Sequence, residues 1–380
     1  MHPESQTVPS AQDFRLRGFR LARMAALAYS LVIIYASLRP FTGWRITSGA
    51  FGEFLMQPWP RWITSDDILF NFAAYVPLGF LLALSLRARP AAPAAVAMAC
   101  LTCAALSLTL ETAQQYLPSR FASTVDLLVN SAGGAAGALL APLFSPGQRL
   151  GRELALLRGQ RFVSGSRGDA VLVLAGLWLL THLHAPLIIL GNGDLRSSFA
   201  LPGLIAYTPA SYLLAEAGVI MLNAAGMGFL LASAARDTES GYWRTLVLFI
   251  AGACALRTAA AALVLRTANP WNWLTPGFGL GLAAALILLL AFMRIPRHAR
   301  ATLALFTLAA AVILVNMMPE NPYRPVPTYL LAGKTGHFLD FTGMIRALSD
   351  IWPFLAILFL LISLPGHYAG DRHSSADRQP

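Results

Sequence analysis

Apolar residues in this chain fall in ten long runs separated by short polar stretches. The runs lie near 21–38, 68–86, 92–117, 124–144, 171–190, 210–234, 244–265, 275–293, 300–317 and 350–365. A helix rises ~1.5 Å per residue, so roughly 20 apolar residues cross the ~30 Å hydrocarbon layer of a bilayer. The pattern predicts an all-α, polytopic membrane bundle of about ten transmembrane helices. Composition agrees: 56% of the 380 residues are hydrophobic, only 12% are charged, and mean hydropathy is +0.59. Soluble domains carry nearer ~25% charge, which excludes a water-soluble globule.

The net charge of +10 changes meaning once its distribution is read. If the ten runs alternate across the membrane, eighteen of the 28 Lys and Arg residues fall in the N-tail, the C-tail and the connections on their side. Nine fall on the other side and Arg257 lies deep within a run, with Arg23, Arg244 and Arg300, near run ends, counted among the eighteen. By the positive-inside rule this bias places both termini in the cytoplasm. The positive charge is spread over many short loops, with membrane lipids as its partners and no patch for nucleic acid. No small-residue cleavage pattern follows the first run, so that run is expected to remain as a span. Cys100, Cys103 and Cys254 all lie within apolar runs, which argues against a disulfide framework. The Cys-x-x-Cys spacing lacks further ligands, and no metal or cofactor is expected.

A faint internal repeat has a period of 146–149 residues. Leu110-Glu111-Thr112-Ala113 with Arg120 recurs as Leu256-Arg257-Thr258-Ala259 with Arg266, and Gly79-Phe80-Leu81-Leu82-Ala83 recurs as Gly228-Phe229-Leu230-Leu231-Ala232. A third, partial copy matches Pro319 and Arg324 to Pro40 and Arg45. The predicted organisation is a tail over 1–20, a four-helix unit over 21–145 and a linker over 146–169. A second, degenerate four-helix unit spans 170–293, and the last two spans with a long loop cover 294–365, before a tail over 366–380. The second copy has Arg257 in place of Glu111 and Asn272 in place of Asp126, so any chemistry is expected in the first unit.

Ionisable groups within spans cost about 2.5–3.5 kcal/mol each on insertion scales and normally face a bundle interior or a wet cavity. In the first unit Asp67 and Asn71, Glu111 and Gln115, and Asp126 and Asn130 are each four residues apart, so each pair shares one helix face. Counting residues from the span ends sets Glu111 level with Asn130 and Gln115 level with Asp126, with Arg120 in the connection within reach of both acids. Pro77 in the second span removes a backbone donor and frees a carbonyl. Gly133 and Gly137, like Gly277 and Gly281, have the small-xxx-small spacing that lets helices approach closely.

These residues together resemble the VanZ-like membrane family. The matching features are Arg39-Pro40-Phe41 after the first span, Asn71-Phe72 and Pro77-Leu78-Gly79-Phe80 in the second, and Glu111 with Gln115 in the third. Arg120, Asp126-Leu127-Leu128, Asn130, Gly133 and Gly137 complete them. The match covers residues 30–145. The resemblance implies a multi-pass protein of the bacterial cytoplasmic membrane, tied to the cell envelope and to teicoplanin-type antibiotic resistance. It implies no reaction.

Two readings of the cluster stand side by side. In one, Glu111, Gln115, Arg120, Asp126, Asn130, Asn71, Asp67 and Arg39 form an outward-facing site that binds or shields an envelope lipid or a glycopeptide. In the other they are hydrogen-bonding groups between helices, worth ~1 kcal/mol each. An intramembrane enzyme acting on a lipid-linked or phospholipid substrate, with Glu111 and Asp126 as acid and base, is the alternative function, and a transporter is weaker still. Neither a nucleophile with its base nor a phosphate-cradling loop is recognisable.

Elsewhere, His182 and His184 point apart on a helix, and Glu216 with Arg257 reads as a structural pair beside Asn223. Trp44, Trp59, Trp62, Trp271 and Trp273 read as interfacial anchors. In the loop over 318–350, Pro319, Pro322, Pro325 and Pro327 precede Lys334, His337, Asp340 and Arg346, with an amphipathic helix expected over 334–348.

Overall fold

The computed structural model describes residues 11–39, 41–45, 52–59, 63–87, 92–145, 147–183, 188–196, 204–236, 240–264, 269–319 and 337–376. Among them are eleven α-helices and no strands, and eight helices are long and apolar enough to cross a membrane. The protein is a multi-pass membrane protein. Two compact units divide the chain: Met1–Gln160 with Ser164–Asp169 and Thr335–Met344, and Arg161–Val163 with Ala170–Lys334 and Ile345–Pro380.

The first unit is built on α1 (Ala11–Leu38), α2 (Ser65–Leu86), α3 (Ala92–Gln114) and α4 (Thr124–Leu140). Local chemistry starts α2 and α4 where it does. Thr64 caps α2 by accepting from the Asp67 N–H at 3.1 Å, while Asp67 Oδ2 accepts from the Thr64 N–H at 3.3 Å. Ser123 caps α4 by accepting from the Val125 N–H at 3.2 Å.

Glycine then sets how closely α2 and α4 cross. A Cβ on Gly133 or Gly137 would run into the carbonyls of Phe72 or Val76, and one on Gly79 into the Gly134 carbonyl. The helices therefore touch backbone to backbone. Below that contact Ala83, Ala99 and Ala138 close a core of small side chains.

One feature of the first unit goes beyond the sequence expectation. The stretch read as a linker contains α5 (Arg149–Arg161), because Gly151 packs flush against the carbonyls of Phe144 and Ser145. Leu150, Leu154 and Leu157 form an exposed stripe along it, beside the exposed Arg149, an arrangement suited to a bilayer interface. Its Arg158 and the Arg20 of α1 both pair with Asp169, which is wholly buried; Arg20 does so at 2.6 Å.

In the second unit α7 (Pro209–Ala234) is the central helix, buried on nearly every side. It packs against α9 (Pro276–Phe292) and α10 (Arg297–Met317), with α6 (Ser166–Thr181) and α8 (Ser240–Ala259) completing the bundle. The glycine crossing of the first unit recurs: Gly281 of α9 lies on Ala217 and Ile220 of α7, and Gly228 of α7 lies on Leu289 of α9. The repeated Gly-Phe-Leu-Leu-Ala segment thus turns its glycine, Gly79 or Gly228, toward the corresponding helix in each unit.

The fifth predicted span, 171–190, is corrected to the 16-residue α6, which ends at Thr181. Residues 189–193 form a buried non-helical segment, in which Leu190 has φ 60° and Gly193 has φ 87°. Hydropathy marks burial, and a buried loop reads like a helix. Asn316 holds this segment by donating to the Gly193 carbonyl at 2.7 Å and accepting from the Leu195 N–H at 2.9 Å. Toward the end of the chain α11 (His337–Ala376) is one continuous helix, so the described part of the amphipathic segment expected over 334–348 runs without a break into the last span, Gly343–Leu364. Pro40, Trp62, His184, Arg266, Pro322, Arg324, Pro325, Pro327 and Lys334 lie outside the described residues, as do the side chains of His337 and Asp340.

The backbone contact of α2 with α4 yields a stability test. Gly137→Val should destabilise the protein by roughly 1–3 kcal/mol through overpacking, read as a fall in thermal midpoint in detergent. Gly147→Ala, at a position with open space around it, should leave the midpoint unchanged.

Candidate functional site

The site lies where α1 and α3 end and α2 and α4 begin. A cavity of about 70 Å³ opens there, and its polar lining is Ser37, Asn71, Glu111, Gln114, Arg120 and Asn130. Ile33, Phe70, Ala74, Tyr75 and Met344 supply most of the apolar wall. Glu111, Gln114 and Asn130 are each more than nine-tenths buried.

Each polar lining side chain of α2, α3 and α4 is tied to a neighbouring element. Asn71 of α2 donates from Nδ2 to Asp126 Oδ1 of α4 at 2.7 Å. Asn130, one turn further along α4, donates to Ser107 Oγ of α3 at 3.0 Å. Glu111 Oε2 accepts from the backbone N–H of Ser123 at 2.9 Å. That bond sets a carboxylate at the N-terminal end of α4, where the helix dipole favours negative charge.

The last turn of α1 has carbonyls that its own helix cannot satisfy. Gln114 Nε2 donates to the Ser37 carbonyl at 3.0 Å, and Arg120 donates from Nη2 to Ala36 and from Nε to Arg39, both at 2.9 Å. A basic group at a helix C-terminus also complements the dipole.

Six of the residues singled out from sequence are thereby placed at or beside the cavity: Asn71, Glu111, Arg120 and Asn130 line it, Asp126 holds Asn71, and Arg39 contributes its carbonyl to Arg120. The Arg39 side chain is exposed and its guanidinium lies against Gly343. Asp67 serves the α2 capping box, away from the cavity.

Gln115 is displaced by its neighbour. Sequence periodicity extends α3 to 117, but the helix ends at Gln114, and tighter bonds from Tyr116 to Ala113 and from Leu117 to Gln114 turn the chain. Gln114, not Gln115, faces the cavity. The expected levels shift by one turn for the same reason: Asn130 is level with Ser107, and Glu111 with the start of α4. Gln114 and Ser107 were missed, although both lie four or fewer residues from Glu111 on α3.

Two acceptor atoms in the cavity wall have no hydrogen-bond partner among the described residues: Gln114 Oε1 and Asn130 Oδ1. Gln114 donates to a carbonyl and therefore presents its oxygen elsewhere, whereas the Ser107 hydroxyl bonded to Asn130 can either accept or donate. Among the described residues no group of three His, Cys, Asp or Glu side chains could hold a metal ion.

In the second unit, Glu216 hydrogen-bonds Thr275 and lies over Gly277, and Arg257 is buried within electrostatic range of His182. His182 bonds through Nδ1 to the Trp178 carbonyl at 2.8 Å. Asn223 donates to the Val219 carbonyl of its own helix at 3.0 Å. Trp44, Trp59 and Trp271 are well exposed.

The hydrogen bonds suggest contrasting variants. Asn71→Leu removes the donor to a buried carboxylate and should cost about 1–3 kcal/mol. Gln115→Ala should stay within about 0.5 kcal/mol of wild type. Chemical unfolding in mixed micelles measures both.

No curated protein and no solved structure matches the chain. Residues 10–145 match the family model VanZ/LLP1. That stretch contains all four helices of the first bundle and every polar cavity-lining residue, so the site lies within the part of the chain that is similar to the VanZ/LLP1 family model.

Proposed function

We propose that the VanZ-like unit binds a component of the bacterial cell envelope at the outer face of the cytoplasmic membrane and leaves it chemically unchanged. The observation that carries this reading is the convergence of buried and half-buried polar side chains from three spans on one cavity, two of them holding acceptors with no partner among the described residues. Helix-to-helix bonds alone do not call for such a cavity. The bias of Lys and Arg toward the opposite side of the membrane supports an outward-facing mouth, with both termini in the cytoplasm. Glu111 and Asp126 each hold a neighbouring N–H, which favours a positioning role over proton transfer.

At about 70 Å³ the cavity admits a terminal group of a few non-hydrogen atoms. A large envelope molecule would insert one polar end and leave the rest on the membrane surface. Binding of that kind would shield the component from a teicoplanin-type glycopeptide, the outcome that the family resemblance suggests.

Native mass spectrometry of protein taken directly from membranes tests the proposal. Wild type should retain an envelope lipid, and Glu111→Gln and Asn130→Leu should lose most of it at equal expression and folding. Cells carrying these variants should also lose any wild-type protection against teicoplanin. Identical lipid retention by all three proteins would assign the cluster to helix packing.

A further inference from the structure

The second unit has a groove that its own side chains leave open. It measures about 540 Å³ and runs between α8 and α9, with Ala224 of α7 and Ala285 of α9 buried at its floor. Among the described residues that line it, Trp243 alone has a polar side-chain atom.

The two helices are tied to each other at both ends of this groove. At one end the Tyr242 hydroxyl of α8 donates to the Gly228 carbonyl of α7 at 2.9 Å, and Leu289 of α9 packs on the same glycine. At the other, Trp273, just before α9, donates from Nε1 to Thr258 Oγ1 of α8 at 3.0 Å. Between these ties the facing residues are small: Ala251 on α8, and Gly279 and Ala283 on α9. A Cβ on Gly279 would meet nothing within 4 Å. The result is a slot between two anchored helices.

Its dimensions point to a chain. The lining runs from Trp243 to Ala251 on α8 and from Leu289 to Gly279 on α9, roughly 12–15 Å, about half of the ~30 Å hydrocarbon layer. Val247 and Leu286 line the groove yet are 63% and 48% exposed, so it opens sideways into the bilayer. Water finds no hydrogen-bond partners along such walls. A helix of a second copy would need contact over the whole span, whereas one acyl chain of a single leaflet has this length.

Charge supplies the other half of the ligand. At the Tyr242 end Arg244 follows Trp243, and Arg294 lies shortly beyond Leu289; both are exposed, and neither forms an ion pair among the described residues. The half-buried Trp243 ring stands at this rim, held by Tyr242 with ring centroids 5.2 Å apart, the placement of an interfacial anchor. An apolar slot continued by exposed arginines is complementary to an anionic amphiphile.

We propose that the groove holds one anionic phospholipid, its acyl chain in the slot between α8 and α9 and its phosphate on Arg244 and Arg294. The positive-inside rule makes this a lipid of the cytoplasmic leaflet.

Full-length protein is released for native mass spectrometry from nanodiscs with equal amounts of phosphatidylglycerol and phosphatidylcholine of identical chains. Wild type should retain phosphatidylglycerol over phosphatidylcholine by roughly tenfold, the order expected of two arginines beside an anionic headgroup. Arg244→Gln combined with Arg294→Gln should retain the two lipids equally. Gly279→Leu, which fills the slot where space is free, should lose both at an unchanged thermal midpoint. Glu111→Gln should behave as wild type, which separates this lipid from the ligand assigned to the first unit. Position is read from fluorescence: bromine at mid-chain should quench Trp243, taken as the difference between wild type and Trp243→Phe, more strongly on phosphatidylglycerol than on phosphatidylcholine.

Equal retention of the two lipids by wild type would overturn the proposal, and so would wild-type retention of phosphatidylglycerol in Gly279→Leu. A lipid-free dimer that falls apart in Gly279→Leu would overturn it too, giving the groove to a second copy of the chain. If Gly279→Leu lowers the midpoint, the arginine pair and the bromine contrast decide.

Discussion

The backbone contact between α2 and α4 is the constraint on which the first unit rests. In a bilayer, helices gain little from burying apolar side chains against one another, because lipid tails are as apolar as leucine. Close approach is the available source of attraction, and Gly79, Gly133, Gly134 and Gly137 provide it. The same approach carries Asn71 to within 2.7 Å of Asp126. Without the glycines, two polar groups in neighbouring spans would each face hydrocarbon. The contact that holds the bundle together is therefore also the one that makes its polar interior tolerable.

The cavity residues have structural duties as well as free valences. Arg120 and Gln114 satisfy the end of α1, and Glu111 satisfies the start of α4. Groups fixed in this way have little freedom to reorganise, so a ligand would meet a preformed surface at small entropic cost. Packing and binding are then two consequences of one arrangement, with the unsatisfied oxygens of Gln114 and Asn130 marking where structural demand ends.

Much of this was legible in the sequence. Hydropathy gives the all-α bundle, because a run long enough to cross a membrane has few other uses. Spacing of four gives the polar faces, and the glycine spacing gives the close crossing. Three features were hidden for identifiable reasons. Gln114 displaces Gln115 because α3 ends early in a tight turn, and periodicity carries no record of where a helix stops. Asp67 looked like a partner of Asn71, yet one turn nearer the helix start its carboxylate is better used on the Thr64 N–H. The apolar run past Thr181 reads like the end of a span, since the buried non-helical stretch over 189–193, held by Asn316, has the same composition as a buried helix.

The second unit shows how the repeat has diverged while keeping one electrostatic arrangement. At the position of Glu111 it carries Arg257, and by alignment alone the acid is gone. In the fold, a carboxylate still reaches the start of the corresponding helix: Glu216 on α7 bonds Thr275, the residue that caps α9, as Glu111 on α3 bonds Ser123, the residue that caps α4. The acid has moved from the third helix of the repeat to the second and stays at the start of the fourth, where it bonds the Thr275 side chain in place of a backbone N–H. A helix N-terminus within a membrane has exposed N–H groups and a partial positive charge, and few side chains other than a carboxylate answer both at once. In the second unit that carboxylate lies over Gly277 in close contact, where Glu111 borders a cavity. What separates the two units is thus the free volume beside the acid, a property of packing that no residue-by-residue alignment displays.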